Sequence, residues 1–357
     1  MARRRRAVGC AEAVTVDRPP ARRADALRAD PAILRSMLDT LHDPAVRDLT
    51  WLLLSADLLR AQPPAGELAT PFVTSEELAA TLEFLRALDA APEPLQRDLA
   101  ATRITRLGRY AERLLGWFLQ HGPAARLVAA GVPLRRAGVT LGECDFLLNT
   151  QQGARLHWEL AVKCYLHAGQ VDAEHAAHRS AAGSARLSDY VGPNLKDRFD
   201  LKLAHLLGHQ LPLSTRDELA LAGYPGSWTP QMFVKGWLFY RRDEVPRDPA
   251  ELNPGHSRGW WVTHSEWPQF APTRGPHWRV LPRLEWLAPR RHLGGERAAA
   301  HALFVDATTL AAHTSQQAAP TMVAAFSEDS AGNLLEQSRG FIVPDDWPQR
   351  AREYAGQ

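Results

Sequence analysis

The fold is decided by Val139-Thr140-Leu141-Gly142-Glu143-Cys144-Asp145-Phe146-Leu147-Leu148-Asn149 and, after Gln151-Gln152-Gly153, by Arg155-Leu156-His157-Trp158-Glu159-Leu160-Ala161-Val162-Lys163-Cys164-Tyr165-Leu166. In the second segment Leu156, Trp158, Leu160, Val162, Cys164 and Leu166 share one side of a two-residue period. His157, Glu159, Ala161, Lys163 and Tyr165 share the other. An extended chain turns successive side chains to opposite faces, so this alternation predicts a strand. The Gln-Gln-Gly break between the two segments predicts a hairpin. On its first strand Glu143 and Asp145 point the same way, opposed by Cys144, Phe146 and Leu148.

Carboxylates and a lysine on one sheet face are costly unless they are paired or bind a metal. A divalent cation held by carboxylate oxygens removes that cost, and Mg²⁺ suits one or two carboxylates plus a substrate phosphate. Lys163 would then orient or help activate a water for attack at phosphorus, while the metal stabilises the developing charge. The same residues also admit a purely structural reading, an ion pair of Lys163 with Glu143 or Glu159 on a solvated face.

Working outward, residues 31–120 read as helical. His42-Asp43-Pro44 marks one start, followed by Trp51, Leu52, Leu54, Leu58 and Leu59 at helical spacing, with Pro63-Pro64 as the stop. Ser75-Glu76-Glu77 opens a second helix towards Leu88. A third covers roughly 103–120, with Leu107, Tyr110, Leu114, Leu115, Phe118 and Leu119 on its apolar side, and ends at Gly122-Pro123. Residues 125–136 fit either a strand or an irregular connector. After an Ala-, Ser- and Gly-rich stretch over 167–193, Asn194 is expected to cap a helix to about Gly208. Its stripe is Leu195, Phe199, Leu203, Leu206 and Leu207, and its polar side carries Lys196, Arg198, Lys202, His205, His209 and Gln210. Met232–Arg241 reads as a strand. The Pro-, Gly- and Trp-rich remainder reads as β-rich, with Phe326 and Phe341 flanking a hairpin turned at Ala331-Gly332-Asn333.

Composition bounds the rest. At 357 residues, 45% apolar and 23% charged, the chain has room for one large domain or two ordinary ones, and it is not a disordered, collagen-like or disulfide-stapled protein. No apolar run approaches the ~20 residues a membrane span needs. Cys10, Cys144 and Cys164 form no CxxC pair, which fits a reducing cytoplasm. The first thirty residues hold eight arginines, including Arg3–Arg6, and read as a basic, disordered tail without a secretory h-region. Only four lysines occur (Lys163, Lys196, Lys202 and Lys235), all within 163–235, against 38 arginines. A lysine kept in an arginine-rich chain suits a place where a compact charge of tunable pKa differs from a guanidinium. His205 and His209 share a helix face without an HExxH glutamate, and His175 and His178 fall in the expected loop. Walker, Rossmann and GxSxG signatures are absent.

Gly142-Glu143-Cys144-Asp145-Phe146-Leu147-Leu148 and His157-Trp158-Glu159-Leu160-Ala161-Val162-Lys163 resemble the core of the PD-(D/E)XK nucleases. Within that superfamily the chain resembles an uncharacterised bacterial family, DUF1853. The likeness extends through His42–Leu49, Tyr190–Asn194 with Asp197-Arg198 and Asp200–Leu203, and Leu281–Leu284 with Trp286. The resemblance implies an α/β fold with an α-β-β-β-α-β core over 103–242, a helical region over 31–102 before it and a β-rich lobe over 243–357 after it. It implies a nuclease that hydrolyses phosphodiester bonds in DNA or RNA with Mg²⁺ or Mn²⁺. Asp145 and Glu159 would be the motif acids and metal ligands, Lys163 the motif lysine, and Glu112 an additional metal-binding acid, with Glu143 a further candidate. A helix beside the motif strand would meet the substrate through Lys196, Arg198, Lys202, His205 and Gln210. One departure stands out. The motif places its acid and lysine two residues apart, about 6.6 Å along a strand; here they are four apart, about 13 Å. Ala161 holds the expected acid position. Glu159 would have to reach forward, or Glu112 or Glu143 supply the second ligand. The alternative is an inactive nuclease fold that binds nucleic acid or a protein.

Overall fold

The computed structural model describes residues 30–64, 66–168, 185–242, 244, 246–293 and 303–357. The basic tail through residue 29, with Cys10, and the loop histidines His175 and His178 lie outside the described residues. The architecture is a central mixed sheet with helices. The N-terminal helices are α1 (Pro31–Thr40), α2 (Pro44–Leu54), α3 (Ser75–Ala90), α4 (Glu93–Ala100) and α5 (Leu107–His121). Asp43 caps α2 by accepting the Ala45 and Val46 amides at 2.9 and 3.0 Å, and Thr74 caps α3 through Glu77 N–H. No helix among the described residues is long and apolar enough to cross a membrane.

Helix α2 stops at Leu54, well before Pro63-Pro64. The following residues join the sheet instead: Leu58 N–H donates to Val234 O, and Leu59 bridges Leu252. Their buried leucines mimic helical spacing while serving an extended segment.

The strands are β1 (Glu67–Leu68), β2 (Ala125–Arg136), β3 (Val139–Thr150), β4 (Arg155–His167), β5 (Tyr190–Val191), β6 (Thr229–Arg241), β7 (Ser257–Thr263), β8 (His277–Val280), β9 (Arg291–His292), β10 (Thr321–Glu328) and β11 (Leu334–Val343). They form one sheet in the order β2-β3-β4-β6-β7-β11-β10-β8, with β1, β5 and β9 paired at its margins. The β2–β3 and β3–β4 pairs are antiparallel, whereas β4–β6, β6–β7 and β7–β11 are parallel. The ladder thus continues across residue 242 into the C-terminal strands. Residues 125–136, which fitted either a strand or a connector, form a full strand.

Strand β4 is covered on both sides. Trp158 and Leu160 join Phe146, Leu148 and Phe233 beneath α2, α3 and α5, and Trp158 stacks on Phe233 at 5.6 Å. The opposite face carries Ala161 and Tyr165, packed with Met232, Val234, Phe199 and Leu203. Burial of each large apolar side chain contributes about 1.5–3 kcal/mol, which holds the strand in register from both layers. Trp260, Trp261, Trp267 and Trp278 are buried core aromatics.

The helix expected from Asn194 begins later, as α6 (Phe199–His205), and widens into a π-turn over Leu206–Gln210. Leu195 has φ +53°, and its N–H closes a turn onto Gly192 O, so 194–198 cannot be helical. Helices α7 (Ala307–Thr314) and α8 (Trp347–Ala355) lie in the C-terminal part of the chain.

Candidate functional site

The site grows out of a break in the β3–β4 ladder. Pairing is regular from Asn149↔Arg155 to Phe146↔Trp158 and then ceases, although β4 stays paired with β6 as far as Leu166↔Phe239. Just past the last pair the two motif carboxylates take over the backbone donors. Asp145 Oδ2 accepts Leu160 N–H at 2.9 Å, and Glu159 Oε1 accepts Asp145 N–H at 3.3 Å. A buried amide must find an acceptor; here side-chain oxygens stand where strand carbonyls would otherwise be.

Glu159 is fully buried. Its Oε1 lies 2.7 Å from His157 Nε2, and its Oε2 accepts Gln210 Nε2–H at 2.6 Å. Gln210 Oε1 accepts in turn from Lys202 Nζ at 2.6 Å. Lys202 therefore reaches Glu159 through one amide. Its ammonium is shifted down, first by burial and then by Lys163. Lys163 itself pairs with the Asp197 carboxylate, just ahead of α6.

On the other side, Glu112 of α5 pairs with Arg109 at 2.6 Å, and Arg109 also reaches Glu143 at 3.7 Å. Burial raises the Glu112 carboxyl, and the charges of Glu143 and Glu159 add to the rise, opposing the contacts with Arg109. Burial, reinforced by Glu159 and Glu112, pushes Asp145 up to about 8, against the Leu160 hydrogen bond and the charge of Lys202. Asp145, Glu159, Glu112 and Glu143 thus share one electrostatic neighbourhood. Among the described residues, no cationic side chain forms an ion pair with Asp145. Among the described residues, the possible ligand atoms that converge within 4.8 Å are those of Cys144, His157 and Glu159, and Asp145, Glu112 and Glu143 lie outside that group.

Sequence-selected residues on α6 and its surroundings take varied places. Lys202 and Gln210 enter the Glu159 network. Arg198 pairs with Asp200 at 2.7 Å, His205 stacks on His209 at 4.8 Å, and Lys196 is exposed. Sequence reasoning gave no role to His157 and Asp197. His157 was visible two residues before Glu159 on the same face, whereas the reach of Asp197 to Lys163 depends on the turn before α6. Cys144 is buried among Val132, Leu134 and Leu147, as expected of a packed thiol, and burial pushes it up to about 12. Its sulfur lies within 4.8 Å of ligand atoms of both His157 and Glu159.

A cleft of about 550 Å³ opens from Asp145 and Phe146 between α5 and the β2–β3 pair. Glu112 and the exposed Glu143 also line it, with Arg103 and Arg106 from the segment after α4 and Arg109 and Arg113 from α5.

No curated protein and no solved structure matches this chain. A family described as a domain of unknown function, DUF1853, matches residues 47–343, and the chain belongs to that family.

Proposed function

We propose that this protein is a metal-dependent phosphodiesterase acting on DNA or RNA, with a PD-(D/E)XK-like core. The observation that carries the reading is the meeting of Asp145 and Glu159 where β3 and β4 part, with Glu112 and Glu143 beside them. Apart from the two-residue β5 and a short helix at Asp217–Leu221, the element order α5-β2-β3-β4-α6-β6 supports it, because it follows the α-β-β-β-α-β sequence the motif implies. Asp145 and Glu159, with Glu112 or Glu143, would hold Mg²⁺ or Mn²⁺. Such an ion, when bound, stabilises charge developing on a phosphate and lowers the pKa of water.

The remaining work falls to the chain's own residues. Gln210 and His157 fix the Glu159 carboxylate, so its oxygens stay oriented without a mobile side chain. Lys163 would hold the attacking water, positioned by its contact with Asp197. The four-residue separation of Glu159 and Lys163 is offset in part by Lys202, which brings a second ammonium to the network through Gln210. The test is cleavage of a panel of DNA and RNA strands and duplexes in Mg²⁺ and in Mn²⁺, with Asp145→Ala and Lys163→Ala beside the wild type. Metal-dependent cleavage by the wild type alone is the expected result. Equal cleavage by all three proteins, or none on any substrate, overturns the assignment.

One observation favours a second reading, an inactive nuclease fold that binds nucleic acid or a protein. Both Glu159 oxygens and the Lys163 ammonium already have protein partners, and Ala161 stands in the motif's acid position. That reading predicts no Mn²⁺ binding sensitive to Asp145→Ala.

A further inference from the structure

The cleft that leads to Asp145 has a division of charge that the motif does not explain. Its lining includes three acids, Glu112, Glu143 and Asp145. Its α4–α5 side carries four arginines, and two of them are accounted for. Arg113 holds Asp98 through Nε at 2.6 Å and Nη2 at 2.7 Å, while Arg109 holds Glu112 and approaches Glu143. The side chains of Arg103 and Arg106 make no ion pair or hydrogen bond among the described residues. The cleft therefore carries two exposed guanidiniums, free of ion pairs among the described residues, beside its acids. Thr102 and Thr105 alternate with the two arginines and add hydroxyl donors.

That polarity matches a phosphodiester chain. Arg103 and Arg106 would take flanking phosphates, and the acids accept a phosphate only together with a cation. Size narrows the partner. About 550 Å³ is the volume of a small-molecule pocket, room for a nucleotide or two of a strand. Trp117 and Phe146 supply apolar wall. None of Lys196, Arg198, Lys202, His205 or Gln210 lines this cleft. We propose that a single strand of nucleic acid enters between α5 and the β2–β3 pair, its phosphates gripped by Arg103 and Arg106 on the way to Asp145. This deepens the phosphodiesterase reading and rests on it for the role of Asp145.

The experiment is fluorescence anisotropy of labelled 12-nucleotide DNA and RNA strands, and of the matching duplexes, titrated with full-length protein in Ca²⁺ at several salt concentrations. Wild type is compared with Arg103→Glu/Arg106→Glu and with Arg86→Glu, an exposed change on α3 outside the cleft. The double reversal is expected to weaken single-strand binding at least tenfold and to lower the salt slope by about 1.4, the value for two phosphates on a single strand. Arg86→Glu is expected to bind as wild type does. Unchanged affinity in the double variant, absence of strand binding by wild type, or preference for duplex overturns the proposal. Failure of the parent reading looks different: a protein that cleaves nothing yet binds strands through Arg103 and Arg106 keeps this surface and loses the nuclease. A protein that cleaves normally with both arginines reversed keeps the nuclease and loses the surface.

Discussion

Two aspartates in this protein, Asp48 buried and Asp145 half-buried, live in opposite circumstances. Asp48 on α2 is almost fully enclosed and fully answered. One oxygen takes Ala288 N–H at 2.9 Å and the Arg290 guanidinium, and the other takes the Tyr110 hydroxyl at 3.0 Å. Asp145 accepts a single backbone N–H and faces further carboxylates instead of a guanidinium. Asp48 ties an N-terminal helix to residues some 240 positions later, and its matched charge marks a clamp. Asp145 has no ion-pair partner among the described residues and lies beside a cleft, which is a poor way to stabilise a fold. The difference teaches that burial of an acid is uninformative until its partners are counted.

The contrast breaks most sharply at the clamp. Asp48→Ala leaves the buried Arg290 cation without its carboxylate and is expected to destabilise the protein by about 3–5 kcal/mol, read by chemical denaturation. A variant as stable as wild type would mean that Asp48 clamps nothing. Next comes Gly236 on β6, paired in register with Lys163 and held at φ +147°. A Cβ there would lie 1.7 Å from the Lys163 carbonyl oxygen. Gly236→Ala should cost roughly 3 kcal/mol and displace the motif strand, lowering both melting temperature and any Lys163-dependent activity.

Asp145→Asn should move stability the other way. The native state keeps a proton on Asp145 that the unfolded chain releases near pH 4, so ionisation costs the wild type stability as pH rises towards about 8. Asparagine never ionises. The variant should match wild type near pH 4 and exceed it by a margin that grows up to about pH 8 and then levels off, with denaturation midpoints across that range as the measurement. A constant difference at all pH values would place the raised carboxyl elsewhere.

On the metal-dependent reading, binding must displace the same proton. Mn²⁺ affinity of the wild type should rise by up to about tenfold per pH unit below pH 8 and level off above it. Calorimetry at pH 7 in buffers of different ionisation enthalpy should report close to one proton released per ion. The smallest effect is expected at the partly exposed Lys163–Asp197 pair. Lys163→Ala should change stability by about 1 kcal/mol or less while removing the proposed water-holding group. A large loss of stability would instead make Lys163 a structural residue.

Much of the centre was legible from spacing alone. Period-2 alternation identified β3 and β4, because a strand offers its side chains only two directions. It also placed Glu143 and Asp145, and Glu159 and Lys163, on shared faces. Apolar periodicity found α3 and α5, Asp43 marked the start of α2 by ordinary capping chemistry, and the Ser75-Glu76-Glu77 run marked the start of α3, whose cap is Thr74. Spacing misread 55–63, where buried leucines at helical intervals serve an extended segment, and 194–198, where Leu195 adopts a left-handed turn. What only the tertiary structure decided was partnership. The parting of β3 from β4 at Asp145 and Glu159, the reach of Gln210 and Lys202 to Glu159, the pairing of Lys163 with Asp197 and the arginine-lined cleft all join residues distant in the chain. Periodicity is a local consequence of backbone geometry and can be read from one strand or helix. Which charge answers which depends on how separate elements pack, and that is settled only when the whole sheet and its covering helices come together.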